Sequence, residues 1–281
     1  MSDTVRPTPL SFLVPSFNPG GYFERAIESV ADQLEPGDEV LIQDGGSTDG
    51  SLEALAARYP DASWLKVVTE PDGGQADALQ RALQRARNEY VMWLNADDVV
   101  YPGGLAAIRK GLISSPDLVI GRSTIFQNSG RIVRTYTPRP LTRRAMVGRG
   151  NQMFTGSIAY RAELIRQVGG FDARYQYCMD MDVIARIAER DPSIVYVPDV
   201  IAGLRWHEDS KGGSTLWPIV REAARVRLAH ARTPTERAIA VGISAAYLVA
   251  GSMQPVRHSR VYSRLRRAIV HREPVGGVGL G

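Results

Sequence analysis

The run YVMWLNADD, residues 90–98, constrains the fold more than any other segment of the chain. Its first five residues are apolar or aromatic and have high β-propensity, which predicts a buried strand. The strand stops at Asn95, and the carboxylates of Asp97 and Asp98 follow closely. Adjacent carboxylates at the end of a buried strand are unfavourable unless a cation neutralises them. The run therefore predicts a divalent cation held by carboxylate oxygens and, through it, an anionic ligand such as a diphosphate.

Three apolar segments with the same character precede this run, and helical patterns separate them. Strands are predicted at residues 11–14, 39–43 and 65–68, with helices at 23–34, 51–59 and 75–86. Strands that alternate with helices of about ten residues pair in parallel. The fold class is therefore α/β, with a doubly wound, Rossmann-like mixed sheet.

The pattern changes after residue 104. It predicts a helix at 105–113, a β-hairpin over 118–136, a mobile loop at 137–152, and a second group of short elements up to residue 205. That group consists of a strand at 157–160, helices at 163–168 and 182–189, and strands at 194–197 and 201–205. We expect one domain over residues 1–215, in halves of about 1–104 and 105–215, and a helical C-terminal extension over 216–281.

Charge is concentrated in that extension. Residues 216–281 contain eleven arginines and three glutamates, so they carry +8 and the remainder carries −4 of the net +4. Such a charge pattern predicts binding to an anionic membrane surface or to phosphorylated ligands. The alternative interpretation is a helical face that is only solvated. Nucleic acid is disfavoured because no aromatic platform interleaves with the arginines.

The apolar stretch 238–253 is shorter than the about 20 residues of a membrane span, so it predicts a buried or interfacial helix. In the basic segment that follows, Val261, Leu265 and Ile269 share one face, as in helices that lie on an anionic bilayer or pack on their own domain. Cys178 is the single cysteine, which excludes a disulfide within the chain and a thiolate zinc site. The N-terminus lacks the pattern of a secretory signal, so the expected location is cytoplasmic, with the inner face of the cell membrane as an alternative.

Four polar loops follow the four parallel strands. Their sequences are PSFN (15–18), DGGSTDG (44–50), EPDGGQ (70–75) and NADD (95–98). Taken alone, each loop has the residue composition of an ordinary turn or helix start. Parallel strands place all four at the same edge of the sheet, where α/β proteins bind ligands.

The series VPSFN, IQDGGSTDGS, EPDGGQADAL and YVMWLNADD resembles the inverting glycosyltransferases of the GT-A type, family two, over residues 11–207. The resemblance implies that residues 1–104 bind a nucleotide-diphospho-sugar donor and residues 105–215 the acceptor. It assigns the nucleotide base to the first loop and to Asp44, whose carboxylate suits a pyrimidine imide. The donor-binding residues implied are Pro15, Phe17, Asn18, Asp44, Gly74, Gln75, Asp77, Asn95, Ala96 and Asp97.

The family's DxD motif binds a divalent metal, here Mn²⁺ or Mg²⁺. This chain departs from the motif because its first position is Asn95, an amide that hydrogen-bonds but carries no charge. Asp97 is therefore the expected metal ligand. Asp98 is a second candidate, with a structural role in the loop favoured, and His207 is a candidate ligand or phosphate contact.

The second half resembles the family in the segment GGFDARYQYCMDMD, residues 169–182. The resemblance implies that Asp180 is the base for the acceptor hydroxyl, with Asp182 in reserve. Two residues apart on a helix, these carboxylates point in different directions, and both also suit a helix N-terminus. Gln152 and Thr155 are candidate acceptor or sugar contacts, and Lys211 a candidate partner of the leaving diphosphate.

The expected function is metal-dependent, inverting transfer of a sugar, from UDP by preference, to a hydroxyl of a saccharide or lipid-linked acceptor in surface polysaccharide or glycolipid synthesis. PSFNPGG lacks the charges of a sugar-phosphate nucleotidyltransferase loop and the G-x-G-x-x-G of a dinucleotide oxidoreductase. A non-catalytic nucleotide-sugar binder or a membrane-docked scaffold is the alternative from another class.

Overall fold

The computed structural model describes residues 7–148, 153–206 and 216–252. Within these residues, nine strands form one mixed sheet in the order β3-β2-β1-β4-β8-β6-β9-β5, and β7 pairs with β6 outside this path. The strands are β1 (Leu10–Ser16), β2 (Glu39–Asp44), β3 (Leu65–Thr69), β4 (Tyr90–Trp93), β5 (Val99–Val100), β6 (Leu118–Gln127), β7 (Ile132–Tyr136), β8 (Ile158–Arg161) and β9 (Ile194–Trp206).

Helices cover both faces of this sheet. They are α1 (Phe23–Ala31), α2 (Ser51–Arg58), α3 (Gln75–Arg85), α4 (Gly104–Leu112), α5 (Arg143–Gly148), α6 (Ala162–Gln167), α7 (Met179–Ala188), α8 (Leu216–His230) and α9 (Pro234–Ser252). One hydrophobic cluster joins the sheet to α1, α2 and α4, and another joins it to α3, α6, α7 and α8. A sheet buried on both faces explains why its central strands are continuous apolar runs.

The predicted α/β fold class is confirmed, and so is the parallel pairing of its first half. β1 pairs in parallel with β2 and β4, and β2 pairs in parallel with β3. The carboxyl ends of these four strands therefore share one edge, where the four polar loops begin. The β-hairpin is also confirmed, since β6 and β7 pair antiparallel.

The second half differs from the prediction in four places. The expected loop at 137–152 contains helix α5, in which Met146 and Val147 are buried. Helix α7 begins at Met179 rather than at residue 182. The two strands expected at 194–197 and 201–205 are one strand, β9, and the two-residue strand β5 was not predicted.

The C-terminal helices α8 and α9 pack on α5. Val147 contacts Ala231 and Ala240 in a small buried cluster. Beside it, the Arg143 guanidinium donates to both carboxylate oxygens of Glu236, at 2.9 and 2.7 Å, and lowers the pKa of Glu236 to about 2. No helix of the described residues is long and apolar enough to cross a membrane.

This packing predicts that Val147→Ala lowers the free energy of unfolding by roughly 2 kcal/mol, because it removes methyl groups from a closed contact. Urea unfolding measures the effect. Arg144→Ala is the matched control: its side chain is 85% exposed, so the change should stay within about 0.5 kcal/mol. A neutral Val147→Ala would mean that residues 143–148 do not pack as a helix.

Candidate active site

A cleft of about 1090 Å³ lies at the carboxyl edge of the parallel strands. All four predicted loops line it, and residues of the second half close its other side. Of the predicted donor-binding, metal, acceptor and catalytic residues, those that line the cleft are Pro15, Phe17, Asn18, Gly74, Gln75, Asn95, Ala96, Asp97, Asp98, Thr155 and Asp180. Asp44, Asp77 and Asp182 do not line it.

Asp44 holds the loop that follows β2. Its side chain is fully buried, and its carboxylate accepts hydrogen bonds from the backbone N–H groups of Gly46 and Ser47 at 2.9 and 2.7 Å. The Ser47 hydroxyl donates to the second oxygen at 2.5 Å. Since both oxygens are engaged, Asp44 shapes the loop from below the cleft. The prediction that Asp44 itself contacts a base stays untested.

Asn18 ties the first loop to the second. Its backbone N–H donates to the Ser47 hydroxyl at 2.7 Å, and its side-chain oxygen accepts from the backbone N–H of Thr48 at 2.9 Å. Asn18 has φ of +44°, a left-handed conformation that asparagine tolerates better than most residues. The two loops are therefore fixed relative to one another.

Phe17 and Asp72 meet above Gly45. The Phe17 side chain is 65% exposed, which is unusual for a large aromatic ring. A Cβ at Gly45 would lie 3.2 Å from the Phe17 ring and 3.2 Å from an Asp72 carboxylate oxygen. A side chain at position 45 would press on both the ring and the carboxylate, so glycine leaves room for the two groups.

The third loop is held from helix α3. Asp77 accepts from the backbone N–H of Gly73 at 2.9 Å and pairs with Arg81 at 2.8 Å, and the Gly73 hydrogen bond, with Arg81 adding, lowers the pKa of Asp77. Gly74 adopts φ of +105°, and a Cβ there would meet the Gln176 side chain at 2.8 Å. Asp77 thus positions the loop, and Gly74 permits close approach to the second half.

Asn95 is the centre of a hydrogen-bond network in the fourth loop. Its side-chain oxygen accepts from the Trp93 indole N–H at 2.7 Å and from the Gln75 amide at 2.8 Å. Its amide nitrogen donates to Asp98 at 2.6 Å. A carboxylate at position 95 could not donate this bond and would face Asp98 with like charge. The hydrogen-bond partners around position 95 therefore suit an asparagine, the residue by which this chain departs from the family motif.

Asp98 is 1% exposed and joins the two halves of the molecule. Besides the bond from Asn95, it accepts from the backbone N–H of Arg205 at 2.9 Å. Burial, with the charge of Asp97 adding, raises the pKa of Asp98 well above its ordinary value. The Arg205 side chain donates to the backbone oxygen of Asp97 at 2.9 Å and lies 4.7 Å from the Tyr22 and Phe126 rings.

The donor set of the fourth loop suits a hard divalent cation. Asp97 is half-buried in the cleft, and Asp98 lies beneath it, so two carboxylates are concentrated in a poorly solvated place. Within the residues that the structure describes, no group of three or more His, Cys, Asp and Glu side chains is arranged to hold a metal. The protein thus offers carboxylate oxygens but no closed cage, as in sites where a substrate phosphate completes the coordination.

Asp180 and Asp182 occupy different surroundings on the first turn of α7. Asp180 is half-buried and lines the cleft. Asp182 is buried and pairs with Arg186 at 2.6 Å, and Arg186 also donates to the backbone oxygens of Val168 and Gly170. Asp182 therefore fixes the turn at residues 169–172, whereas Asp180 lies at the cleft.

The C-terminal extension reaches the loop that leads into Asp180. Glu222 on α8 is 8% exposed and accepts from the backbone N–H groups of Gln176, Tyr177 and Cys178, at 3.0, 2.8 and 3.0 Å. Burial raises the pKa of the Cys178 thiol to about 12, so Cys178 is no nucleophile. Glu222 thus holds the start of α7 from outside the first 215 residues.

Three predicted residues, Gln152, His207 and Lys211, lie outside the described residues. Thr155 is 4% exposed at the wall of the cleft. The residues that sequence reasoning missed are Asp72, Trp93, Arg205 and Glu222. Arg205 stands two positions before His207 at the end of a strand, and this position could have identified it. No sequence pattern around Glu222 indicates its contacts with residues 176–178.

The fold is that of a nucleotide-sugar transferase of the GT-A type. The family model "Glycosyl transferase family 2" matches residues 11–169, more than half of the chain, and the chain belongs to this family of glycosyltransferases.

The curated relatives are longer proteins. A chondroitin synthase of Pasteurella multocida is 24% identical over 187 residues, which are 64% of this chain and 19% of the relative. A chondroitin synthase of Escherichia coli is 27% identical over 200 residues, 68% of this chain and 28% of the relative. The chain thus spans less than a third of the length of these proteins.

Solved structures with the same fold include S. aureus TarS, residues 1–349, in complex with UDP-GlcNAc. The TM-score is 0.65 at 20% identity, and the match covers 86% of this chain and 72% of that one. The same protein in complex with UDP gives a TM-score of 0.63 at 19% identity, over 86% of this chain and 71% of that chain.

The Glu222 contacts predict that Glu222→Ala lowers the free energy of unfolding by about 3 kcal/mol, since three backbone N–H groups, that of Cys178 buried, lose their acceptor. Hydrogen exchange at Gln176, Tyr177 and Cys178 should become faster than in the parent protein. Arg221→Ala, an exposed neighbour on the same helix, is the control and should change stability by less than about 0.5 kcal/mol. Unchanged exchange at these three amides would contradict the role given to Glu222.

Proposed function

We propose that the chain transfers a sugar from a nucleotide-diphosphate donor, with UDP-sugars preferred, to a hydroxyl group of a saccharide or lipid-linked acceptor, with inversion at the anomeric carbon. The observation that carries this proposal is the placing of Phe17, Asp97 and Asp180 around one cleft. These residues supply an aromatic surface, a metal-binding carboxylate and a second carboxylate on the opposite half. The aromatic surface suits the nucleotide base, the metal-binding carboxylate the diphosphate, and the second carboxylate the acceptor hydroxyl.

The nucleotide base stacks on Phe17 in this proposal. An exposed ring at a cleft wall offers an apolar face to a planar base. Asp72, whose carboxylate lies beside that ring at Gly45, accepts the imide N–H of a pyrimidine, while Asp44 holds the loop beneath them. Adenine has no such ring N–H, and the uracil imide does, which favours UDP over ADP.

Asp97, with Asp98 below it, would hold Mn²⁺ or Mg²⁺. Such an ion, when bound, stabilises the negative charge on the departing diphosphate. Asn95 keeps the Asp98 carboxylate oriented, and Arg205 fixes the backbone of Asp97, so the protein groups are in place before the donor arrives. Preorganised groups of this kind avoid the cost of reorganisation during the reaction.

Asp180 takes the proton of the acceptor hydroxyl as the oxygen attacks the anomeric carbon. A general base must come within hydrogen-bond distance of the proton that it removes, and Asp180 faces the cleft from the half opposite the donor loops. Attack from the face opposite the leaving diphosphate inverts the anomeric configuration in one step. Thr155, in the same wall, is proposed to contact the sugar or the acceptor.

A role in surface polysaccharide or glycolipid synthesis is proposed from the relatives. Several of them are named synthases of chondroitin or hyaluronan, and a Bacillus subtilis protein named a putative teichuronic acid biosynthesis glycosyltransferase is 38% identical over 90 residues, 32% of this chain and 36% of that protein. We propose a cytoplasmic location, with the inner face of the cell membrane as the alternative. The chain is proposed to divide into a transferase domain over 1–215 and the extension over 216–281.

Asp180→Asn is expected to lower the rate of transfer by about 10²- to 10⁴-fold, because the amide cannot accept the proton. Donor affinity, measured by calorimetry, should not change. Asp172→Asn in the same segment is the control, since Asp172 pairs with Arg174 outside the cleft, and its transfer rate should equal the parent's. An equal loss of donor binding in Asp180→Asn would contradict the assignment as base.

The donor and its metal are tested by thermal shift with a panel of nucleotide sugars, each with Mn²⁺, Mg²⁺ or a chelator. A ligand that binds only the folded protein raises Tm, and UDP-sugars with metal should give the largest rise. In Asp97→Ala the metal-dependent part of that rise should disappear, whereas the exposed control Asp61→Ala should keep it. Metal dependence that survives Asp97→Ala would refute the ligand role.

The same nucleotide sugars, assayed for release of nucleoside diphosphate, separate an enzyme from a non-catalytic binder. Release of nucleoside diphosphate in the presence of an acceptor requires transfer or hydrolysis, whereas a binder gives a thermal shift and no release. Binding without any release, over a range of saccharide acceptors, would favour the binder.

A further inference from the structure

Helix α9 exposes an apolar face that nothing in the described structure covers. Its buried residues, Glu236, Ala240 and Ser244, are spaced four apart and form a narrow strip against α5 and α8. Most of the other residues up to Tyr247 are open to solvent: Ile239 is 45% exposed and Val241 is 56% exposed, whereas Ile243 is half-buried. Soluble proteins seldom leave a continuous apolar helix face of this kind without a partner.

No charged residue interrupts this face. The sequence from Ala238 to Ser252 contains none, and Arg237 stands at its amino end. The exposed positions include Ala238, Ile239, Val241, Gly242, Ala245 and Ala246. A helix that is apolar nearly all round is normally enclosed by protein or lipid.

The exposed charges of residues 216–252 have one sign. The two glutamates of residues 216–252 are buried, since Glu222 is bound to three N–H groups and Glu236 to Arg143. The exposed charged residues of the same range are all arginines: Arg221, Arg225, Arg232 and Arg237. Residues 253–281 add six arginines and one glutamate in sequence. The exposed charges of residues 216–252 are therefore all cationic, and α9 itself has no charged residue from Ala238 on.

We propose that α9 lies on an anionic lipid surface, with its exposed side in the headgroup–acyl boundary, Ile239 and Val241 at the two margins of that side, and the arginines against the headgroups. Apolar area and cationic side chains together are the two contributions that hold a helix at a bilayer interface. A soluble polyanion would be held by the arginines alone and leaves the apolar face unexplained. A second copy of this chain would bring the same exposed arginines together, which like charge disfavours.

The test is flotation of the full-length protein with vesicles of phosphatidylcholine, with and without phosphatidylglycerol. The parent should float only with the anionic vesicles. Ile239→Glu combined with Val241→Glu should weaken vesicle binding by about tenfold or more, since each substitution removes apolar burial and adds a negative charge. Arg237→Gln should weaken binding about fivefold.

Ile113→Glu is the control, because Ile113 is 79% exposed on the α4–β6 connection, away from α9. It should float like the parent, and thermal unfolding should show that all variants are folded. Flotation unchanged by the α9 substitutions, or absent in the parent, overturns the proposal. Self-association in sedimentation that the α9 substitutions abolish, without flotation, also overturns it and makes a second copy the occupant. The readout needs neither donor nor acceptor, so it is independent of the proposed transfer reaction.

Discussion

The carboxylate of Asp98, buried at the end of β4, is the group on which the cleft depends. A buried charge is costly unless hydrogen bonds replace its hydration, and here the donors come from both halves of the molecule. Asn95 supplies one from the same loop, and the backbone of Arg205 supplies the other from β9. The need to satisfy Asp98 therefore fixes the distance between the donor loops and the second half. Asp97, next in sequence, is held in the cleft by the same arrangement.

Much of the first half could be predicted because its signals are local. Apolar runs of strand length that alternate with helical patterns specify parallel strands, and parallel strands bring the ends of all four loops to one edge. What the pattern could not show is the direction of single side chains. Asp44 is the last residue of β2 and turns inward to its own loop, while Asp72, in a loop that looks like a simple turn, reaches the cleft.

The second half was harder to predict because its structure rests on contacts that are distant in sequence. Helix α5 is only a short segment with two arginines and a glycine, and a helix of that length is not stable alone. It forms because Val147 packs on Ala231 and Ala240 of the extension. The contact of Arg205 with Asp98 spans 107 positions, and that of Glu222 with Tyr177 spans 45, so neither leaves a periodic pattern.

The hydrogen bonds of Glu222 bear on how such chains can be recombined. The family model ends at residue 169, and a cut near residue 215 looks natural from the change in composition. Such a cut would remove the only carboxylate among the described residues that accepts from Gln176, Tyr177 and Cys178. A chimera that exchanges acceptor halves must therefore carry helix α8 along with α7, because Glu222 of α8 holds the segment that leads into α7. The smallest transferable module of this protein thus runs past the sheet and into the helices that follow it.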